Sequence, residues 1–322
     1  MNEILLNNAV IVYLLSESTL YLLLLLAAVV TVGLVRKWNF DAFTTTQFTL
    51  ENRSYLVMTI IFFAMILKLL LLPYFVYTID TLSELVPGAM CGAGVIKANA
   101  YGYPLLALKI VILFLSGLWL SINSLDLEAK SYPYLEPKSW FFLFLFGLFT
   151  VELILDILYF THIETDKPVT CCSVIFGQSE GLNPLPLGLD IPKLLLLFYL
   201  LFALIVLSLL SAVPLMIIVS SLLFIAVGYY AVVYFFGTYI YQLPTHKCPF
   251  CMLQDHYYYV GYAVWGLLLL GTFFAIDYAV MRLFFGKTGE RLKRFALLLL
   301  SLFVLLCSSY VVYYYLKNGV WL

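Results

Sequence analysis

The sequence predicts an all-α integral membrane protein, and three observations predict it. Of 322 residues, 64% are hydrophobic and 11% charged, too few charges to give a folded chain an ordinary surface in water. The apolar residues gather into eight runs of about the 20-residue length that a helix needs to cross a bilayer. Between the runs lie stretches rich in Gly, Pro and charged residues, which read as loops. A net charge of −1 gives no broad basic field to attract nucleic acid. The expected partner is the lipid bilayer, not a nucleic acid.

The first run, 18–35, follows the opening MNEILLNNAVIVYLL. That opening has neither the basic start nor the small-residue cleavage site of a secretory signal, so the run is expected to stay as a span. Runs 55–77, 104–122 and 140–160 follow, set apart by charged segments at 36–54 and 123–139 and by a polar loop at 80–103. Residues 194–241 form one apolar stretch too long for a single crossing. Pro214 in LLSAVPLM divides it into spans 193–211 and 214–241, joined by a tight hairpin. The last two runs, 257–281 and 295–316, flank the basic RLFFGKTGERLKR, which reads as an orientation anchor.

Segments 36–54, 123–139 and 282–294 carry ten Lys and Arg, whereas the opposite side carries five: Lys97, Lys167, Lys193, Lys247 and Lys317. This bias places both termini outside, and the expected location is the inner, cytoplasmic membrane of a prokaryote. The chain is expected to divide into 1–138, with three helices and the Cys91 loop, 139–281, with the motif-bearing core, and 282–322, with the basic loop and last helix.

Five of the six cysteines then fall at the outer face: Cys91, Cys171, Cys172, Cys248 and Cys251. Cys307 lies within a helix, where a thiol behaves as a small hydrophobe. An oxidising compartment is where disulfides form and exchange, so the clustering suggests redox work. Adjacent Cys171 and Cys172 have Cα atoms about 3.8 Å apart, below the roughly 4.4–6.8 Å of ordinary disulfides, and are not expected to pair with each other. The expected pairs are Cys248 with Cys251, and Cys91 with Cys171 or Cys172.

THKCPFCMLQDHYYYVGY, 245–262, sets Cys-Pro-Phe-Cys at the mouth of a span. The positive end of the following helix is expected to favour a thiolate there. No second Cys-x-x-Cys completes a four-cysteine zinc site. At a bilayer edge the natural electron acceptor for a dithiol is a lipid-soluble quinone, whose ring could stack on Tyr257, Tyr258, Tyr259 or Trp265. The same stretch offers His246, Cys248, Cys251 and His256 as an alternative metal set.

KCPFCMLQ resembles the Cys-Pro-aromatic-Cys of the membrane thiol oxidases of the DsbB and vitamin K epoxide reductase (VKOR) type. CGAGVIKANAYGYPLLAL is similar to their Cys-Gly-small-Val loop and Gly-aromatic-Pro helix start, and CCSVIFG to the same element. The resemblance implies a four-helix bundle around a quinone (ubiquinone or menaquinone), here formed by the fourth to seventh spans. By the same resemblance Cys251 faces the quinone, Cys248 exchanges with a loop thiol, and either Cys91 or Cys171/Cys172 shuttles electrons from a soluble thioredoxin-fold partner. Gln254, with Asp255, stands where DsbB-type chains carry a basic residue, and is counted with the tyrosines and Trp265 as a quinone contact.

Charges within spans are costly in lipid and find partners. Lys68, Lys109, Glu152 and Asp156 all fall in the outer halves of spans two to four. Glu152 and Asp156, four apart, share a helix face. A buried charge cluster is expected, structural ion pairing being favoured over a proton path. Asp277 is expected at an interface and His162 in solvent. Two other functional classes fit the same residues: a non-catalytic membrane subunit of a larger respiratory or assembly complex with structural disulfides, and an outer-face metal-handling protein.

Overall fold

A computed structural model describes residues 3–38, 44–129, 132–169, 185, 188–286 and 289–322. Cys171 and Cys172 lie outside these. The protein is an all-helical integral membrane protein: eight helices among the described residues are long and apolar enough to cross a bilayer. Their outward faces are apolar, with Leu26, Val29, Leu70, Leu196 and Leu215 all exposed, the pattern expected where the solvent is lipid. By contacts the chain falls into two compact units, Met1–Val169 and Thr170–Leu322. Each holds four of the spans. The expected boundaries at 138 and 281 follow motifs rather than contacts.

The first unit contains α1 (Asn8–Lys37), α2 (Thr45–Thr81), the short α3 (Gly92–Ile96), α4 (Gly102–Glu128) and α5 (Leu135–Thr161). α1 begins ten residues before its apolar run because Asn7 caps it, its Oδ1 accepting from the Ala9 N–H at 2.9 Å. This early start brings Tyr13 and Glu17 into the span. α1 packs on α2 and α5, and α4 packs on α5, around a core that includes Leu24, Ile61, Met65, Trp119, Phe142 and Phe149.

One end of this unit carries the Cys91 loop and the C-terminal end of α5. They are tied by Tyr159, whose hydroxyl donates to the Val95 carbonyl at 2.9 Å and whose own carbonyl accepts from Asn99 Nδ2 at 2.9 Å. The other end carries Lys138. The sequence counted it as a loop charge, but the chain turns into α5 at Leu135, so Lys138 is inside the helix and 1% exposed. It reaches Asp126 at 2.5 Å and Asn123 Oδ1 at 3.0 Å, pinning α4 to α5.

The second unit contains α6 (Ile191–Ser211), α7 (Pro214–Ala231), a π-helical turn at Val232–Phe236, α8 (Gly237–Tyr241), α9 (Val260–Phe285) and α10 (Glu290–Asn318). The hairpin at 212–213 forms as expected: Ala212 takes a left-handed backbone, φ 54°, and Pro214 opens α7. Phe198 centres the core, its ring 5.2 Å from Phe224, 5.1 Å from Phe236 and 6.0 Å from Phe303. α9 packs on both α7 and α10. The 212–213 turn and the C-terminal end of α9 lie at one end, and residues 242–259 at the other. The C-terminus returns to this second end, where the Leu322 N–H donates to the Tyr239 hydroxyl at 3.3 Å.

Candidate functional site

The motif loop of the second unit is built on α8. The π turn at Val232–Phe236 shifts the register of the helix just before it ends, a feature that recurs near functional sites, and α8 closes on Tyr241. The Tyr241 hydroxyl donates to the Cys248 carbonyl and accepts from the Met252 N–H at 3.1 Å. One phenol therefore holds both flanks of Cys-Pro-Phe-Cys. Trp265 of α9 supports the middle, its Nε1 donating to the Pro249 carbonyl at 3.0 Å, while its ring lies 5.7 Å from Tyr229. Met252 is clasped by α9: a Cβ added at Gly261 would come within 2.6 Å of Met252 Cγ, so only glycine allows this approach.

Within this frame the Sγ atoms of Cys248 and Cys251 lie within 4.8 Å of each other, and both residues are buried. His246 packs edge-on to Tyr241 at 4.3 Å, Tyr257 packs on the same ring at 4.8 Å, and Lys247 Nζ lies 5.1 Å above Tyr234. Burial, followed by the nearby charges of Cys251 and Cys248, pushes the Tyr257 hydroxyl above the usual phenol range. The arrangement can bring two sulfurs together behind an aromatic wall with little backbone movement.

The sequence placed a helix start immediately after Cys251. The structure puts single 3-10 turns at Cys251–Leu253 and Asp255–Tyr257, and starts α9 only at Val260. Left-handed backbones at Tyr258 and Tyr259, φ 53° and 55°, interrupt the helix there. The α9 dipole acts over about one turn and does not reach Cys251.

Of the proposed quinone contacts, Tyr257 and Trp265 line the motif and Gln254 is half-buried beside it, whereas Tyr258 is 92% exposed. Tyr259 is also exposed. In the alternative metal set, His256 is exposed and bonds Asp255 at 2.5 Å, while His246 lies against Tyr241. That His256 contact holds the Asp255 carboxyl below its usual range.

In the first unit Cys91 is fully buried and precedes α3 with an extended backbone. The Gly92 N–H donates to Asp80 Oδ1 at 3.1 Å. The loop returns at Gly102, where a Cβ would sit 2.1 Å from the Ile96 carbonyl oxygen. His162 is exposed, as expected. Asp277 is fully buried on α9 rather than at an interface.

The expected charge cluster is present in the same unit and larger than the sequence indicated. Lys68 Nζ lies 2.6 Å from Glu152 Oε2, and Lys109 Nζ lies 2.7 Å from Glu152 Oε1 and 2.9 Å from Asp156 Oδ2. Two groups from α1 join them. Lys68 also pairs with Glu17 Oε1, and the Tyr13 hydroxyl accepts from Lys109 at 2.6 Å while donating to Asp156. Both ammonium groups face rings, Lys109 over Phe75 at 4.6 Å and Lys68 over Phe149 at 5.2 Å. Hydropathy alone starts the first span at residue 18 and leaves Glu17 and Tyr13 outside it, whereas α1 begins at Asn8 and carries both into the span.

Compared with known proteins, the chain matches no family model, no curated protein and no solved structure.

Proposed function

We propose that the protein is a membrane thiol:disulfide oxidoreductase that passes electrons between thiols at one membrane face and a membrane quinone, ubiquinone or menaquinone, through Cys248 and Cys251. The observation that supports this reading most is the motif loop. Two buried sulfurs within 4.8 Å of each other are held by Tyr241 on both sides of the motif and by Trp265 beneath it. A purely structural loop has no need of two close thiols in so fixed a frame, whereas a dithiol that cycles needs its sulfurs near bonding distance in both states.

A quinone supplies the sink for two electrons and two protons. Cys251 lies on the side of the apolar span and faces the acceptor, and its thiolate gives up the electron pair. Cys248, beside Pro249, closes the disulfide and is reopened by exchange with an incoming thiol. Either Cys91 or Cys171/Cys172 serves as the shuttle from a soluble thioredoxin-fold protein. In this reading the motif loop and both termini face the outside of a prokaryotic cytoplasmic membrane.

The test is quinone reduction by purified protein with a reduced dithiol as donor. Wild type is expected to reduce a short-chain quinone, and Cys248→Ser and Cys251→Ser to lose the activity while remaining folded. Full activity in both variants would remove the proposal. Stoichiometric zinc or copper that leaves with His246→Ala or His256→Ala would replace it with the metal-handling reading.

A further inference from the structure

The end of the first unit that carries Lys138 encloses a cavity of about 1030 Å³, lined by α2, the C-terminal part of α4 and the start of α5. Pockets for small molecules measure roughly 300–1,000 Å³, so this one is large. Its lining changes character along α2. Gln47, Glu51, Asn52 and Ser54, near the start of the helix, are polar, whereas Tyr55, Met58, Phe62 and Phe63 further in are mostly apolar. From Tyr55 to Phe63 the lining runs about 12 Å along the helix axis, within the roughly 15 Å of hydrocarbon in one leaflet. Tyr55 and Phe63 are also exposed, so an acyl chain can enter from the bilayer. A ligand that satisfies this lining has a polar head at the membrane edge and an apolar tail pointing inward.

The polar lining says which head. Lys138 lines the cavity although it is 1% exposed. Its ammonium bonds Asp126 at 2.5 Å and Asn123 Oδ1 at 3.0 Å, and its carbonyl accepts from Trp119 Nε1 at 2.9 Å. An ammonium has three N–H donors, so one is left without a partner among the described residues, in a fixed place. Asp126 already balances the Lys138 charge, so the α4–α5 side offers a donor rather than a net positive field. On the α2 side Glu51 is exposed and forms no ion pair among the described residues; it offers acceptor oxygens. One donor and one acceptor at the head of an apolar wall match a zwitterion, whose phosphate oxygens take the Lys138 N–H and whose ammonium donates to Glu51. A headgroup with phosphate alone would meet the Glu51 carboxylate uncompensated, and a trimethylated ammonium has no N–H to donate.

We propose that this cavity is a binding site for one membrane phospholipid with a primary-ammonium headgroup, held by Glu51 and Lys138 and with an acyl chain laid along Tyr55, Met58, Phe62 and Phe63. The site stands independently of the dithiol chemistry. It is a built site and not a stretch of ordinary lipid-facing surface, because the buried donor of Lys138 is positioned by three neighbours before any lipid arrives.

Native mass spectrometry tests this. The purified protein is equilibrated with vesicles holding equal parts of phosphatidylethanolamine, phosphatidylcholine and phosphatidylglycerol, extracted in mild detergent, and weighed with whatever lipid it retains. Wild type is expected to retain one phosphatidylethanolamine, favoured over the other two by roughly tenfold, as one hydrogen bond to a charged group gives. Glu51→Ala, a change at an exposed position, is expected to melt like wild type, to keep one phospholipid and to lose the preference for the primary ammonium over choline. Phosphatidylethanolamine with a photoreactive group in its acyl chain is expected to label residues 55–63 in wild type, a readout that needs no variant. No retained lipid, equal retention of the three lipids, preference for phosphatidylglycerol, a preference that survives Glu51→Ala, or photolabelling confined to residues outside this cavity would each overturn the proposal.

Discussion

At the scale of single residues, the protein buries a small set of charged side chains inside its apolar spans. Lys109 shows the energetics. Its ammonium bonds Glu152, Asp156 and Tyr13 at once, so losing it leaves buried Asp156 without a cation and Glu152 with Lys68 alone. Breaking a buried ion pair from one side costs about 3–5 kcal/mol. Lys109→Met is therefore expected to lower unfolding stability in detergent by that order, and the double variant Lys109→Met/Asp156→Asn by distinctly less; equal losses would show that the pair is not coupled. Tyr241 is the corresponding residue of the motif loop. Tyr241→Phe leaves the Met252 N–H and the Cys248 carbonyl without their shared partner, at about 1–3 kcal/mol, and should speed alkylation of Cys248 and Cys251 in the reduced protein.

Lys68, Lys109, Glu152 and Asp156 were legible in the sequence because a charge inside an apolar run has few alternatives to pairing. Tyr241 was not legible: nothing in a tyrosine seven residues before a cysteine says that its hydroxyl will bridge the motif's backbone. Lys138 misled because the charged segment around it looks like a loop, and only the α4–α5 turn shows that Asp126 and Asn123 wait for it.

At the scale of elements, all eight spans were legible and their ends were not. Hydropathy marks the lipid-crossing length, whereas helices continue past it until a cap or a left-handed residue stops them. Asn7 starts α1, and Gly286 and Gly319, at φ 63° and 72°, stop α9 and α10. The same limit explains the displaced start of α9. The pattern places aromatic residues near the membrane edge, but it is the paired left-handed tyrosines that delay the helix. Two close approaches can be tested. Gly261→Val would drive a side chain into Met252 and should destabilise the motif loop, read as a lower melting temperature and faster Cys251 alkylation. Gly102→Ala would press on the Ile96 carbonyl and should do the same for Cys91 while leaving Cys251 unchanged. Unchanged labelling rates would show that these loops tolerate the extra carbon.

At the scale of the whole molecule, eight crossings with charge-rich loops define an alternating topology whose direction rests on the Lys and Arg bias. A membrane-impermeant maleimide applied to reduced spheroplasts is expected to label a cysteine introduced at Leu243, in the motif loop, and to spare one introduced at Thr288. Labelling of Thr288→Cys instead would invert the chain. The central claim, that Cys248 and Cys251 form a cycling dithiol, is tested most directly by mapping the redox state of each cysteine by differential alkylation and mass spectrometry, with and without added quinone. The account predicts that Cys248 and Cys251 carry the reduced-state label after treatment with dithiol alone, and lose it together, becoming a single disulfide, when quinone is added. Two thiols whose labelling ignores quinone would contradict it.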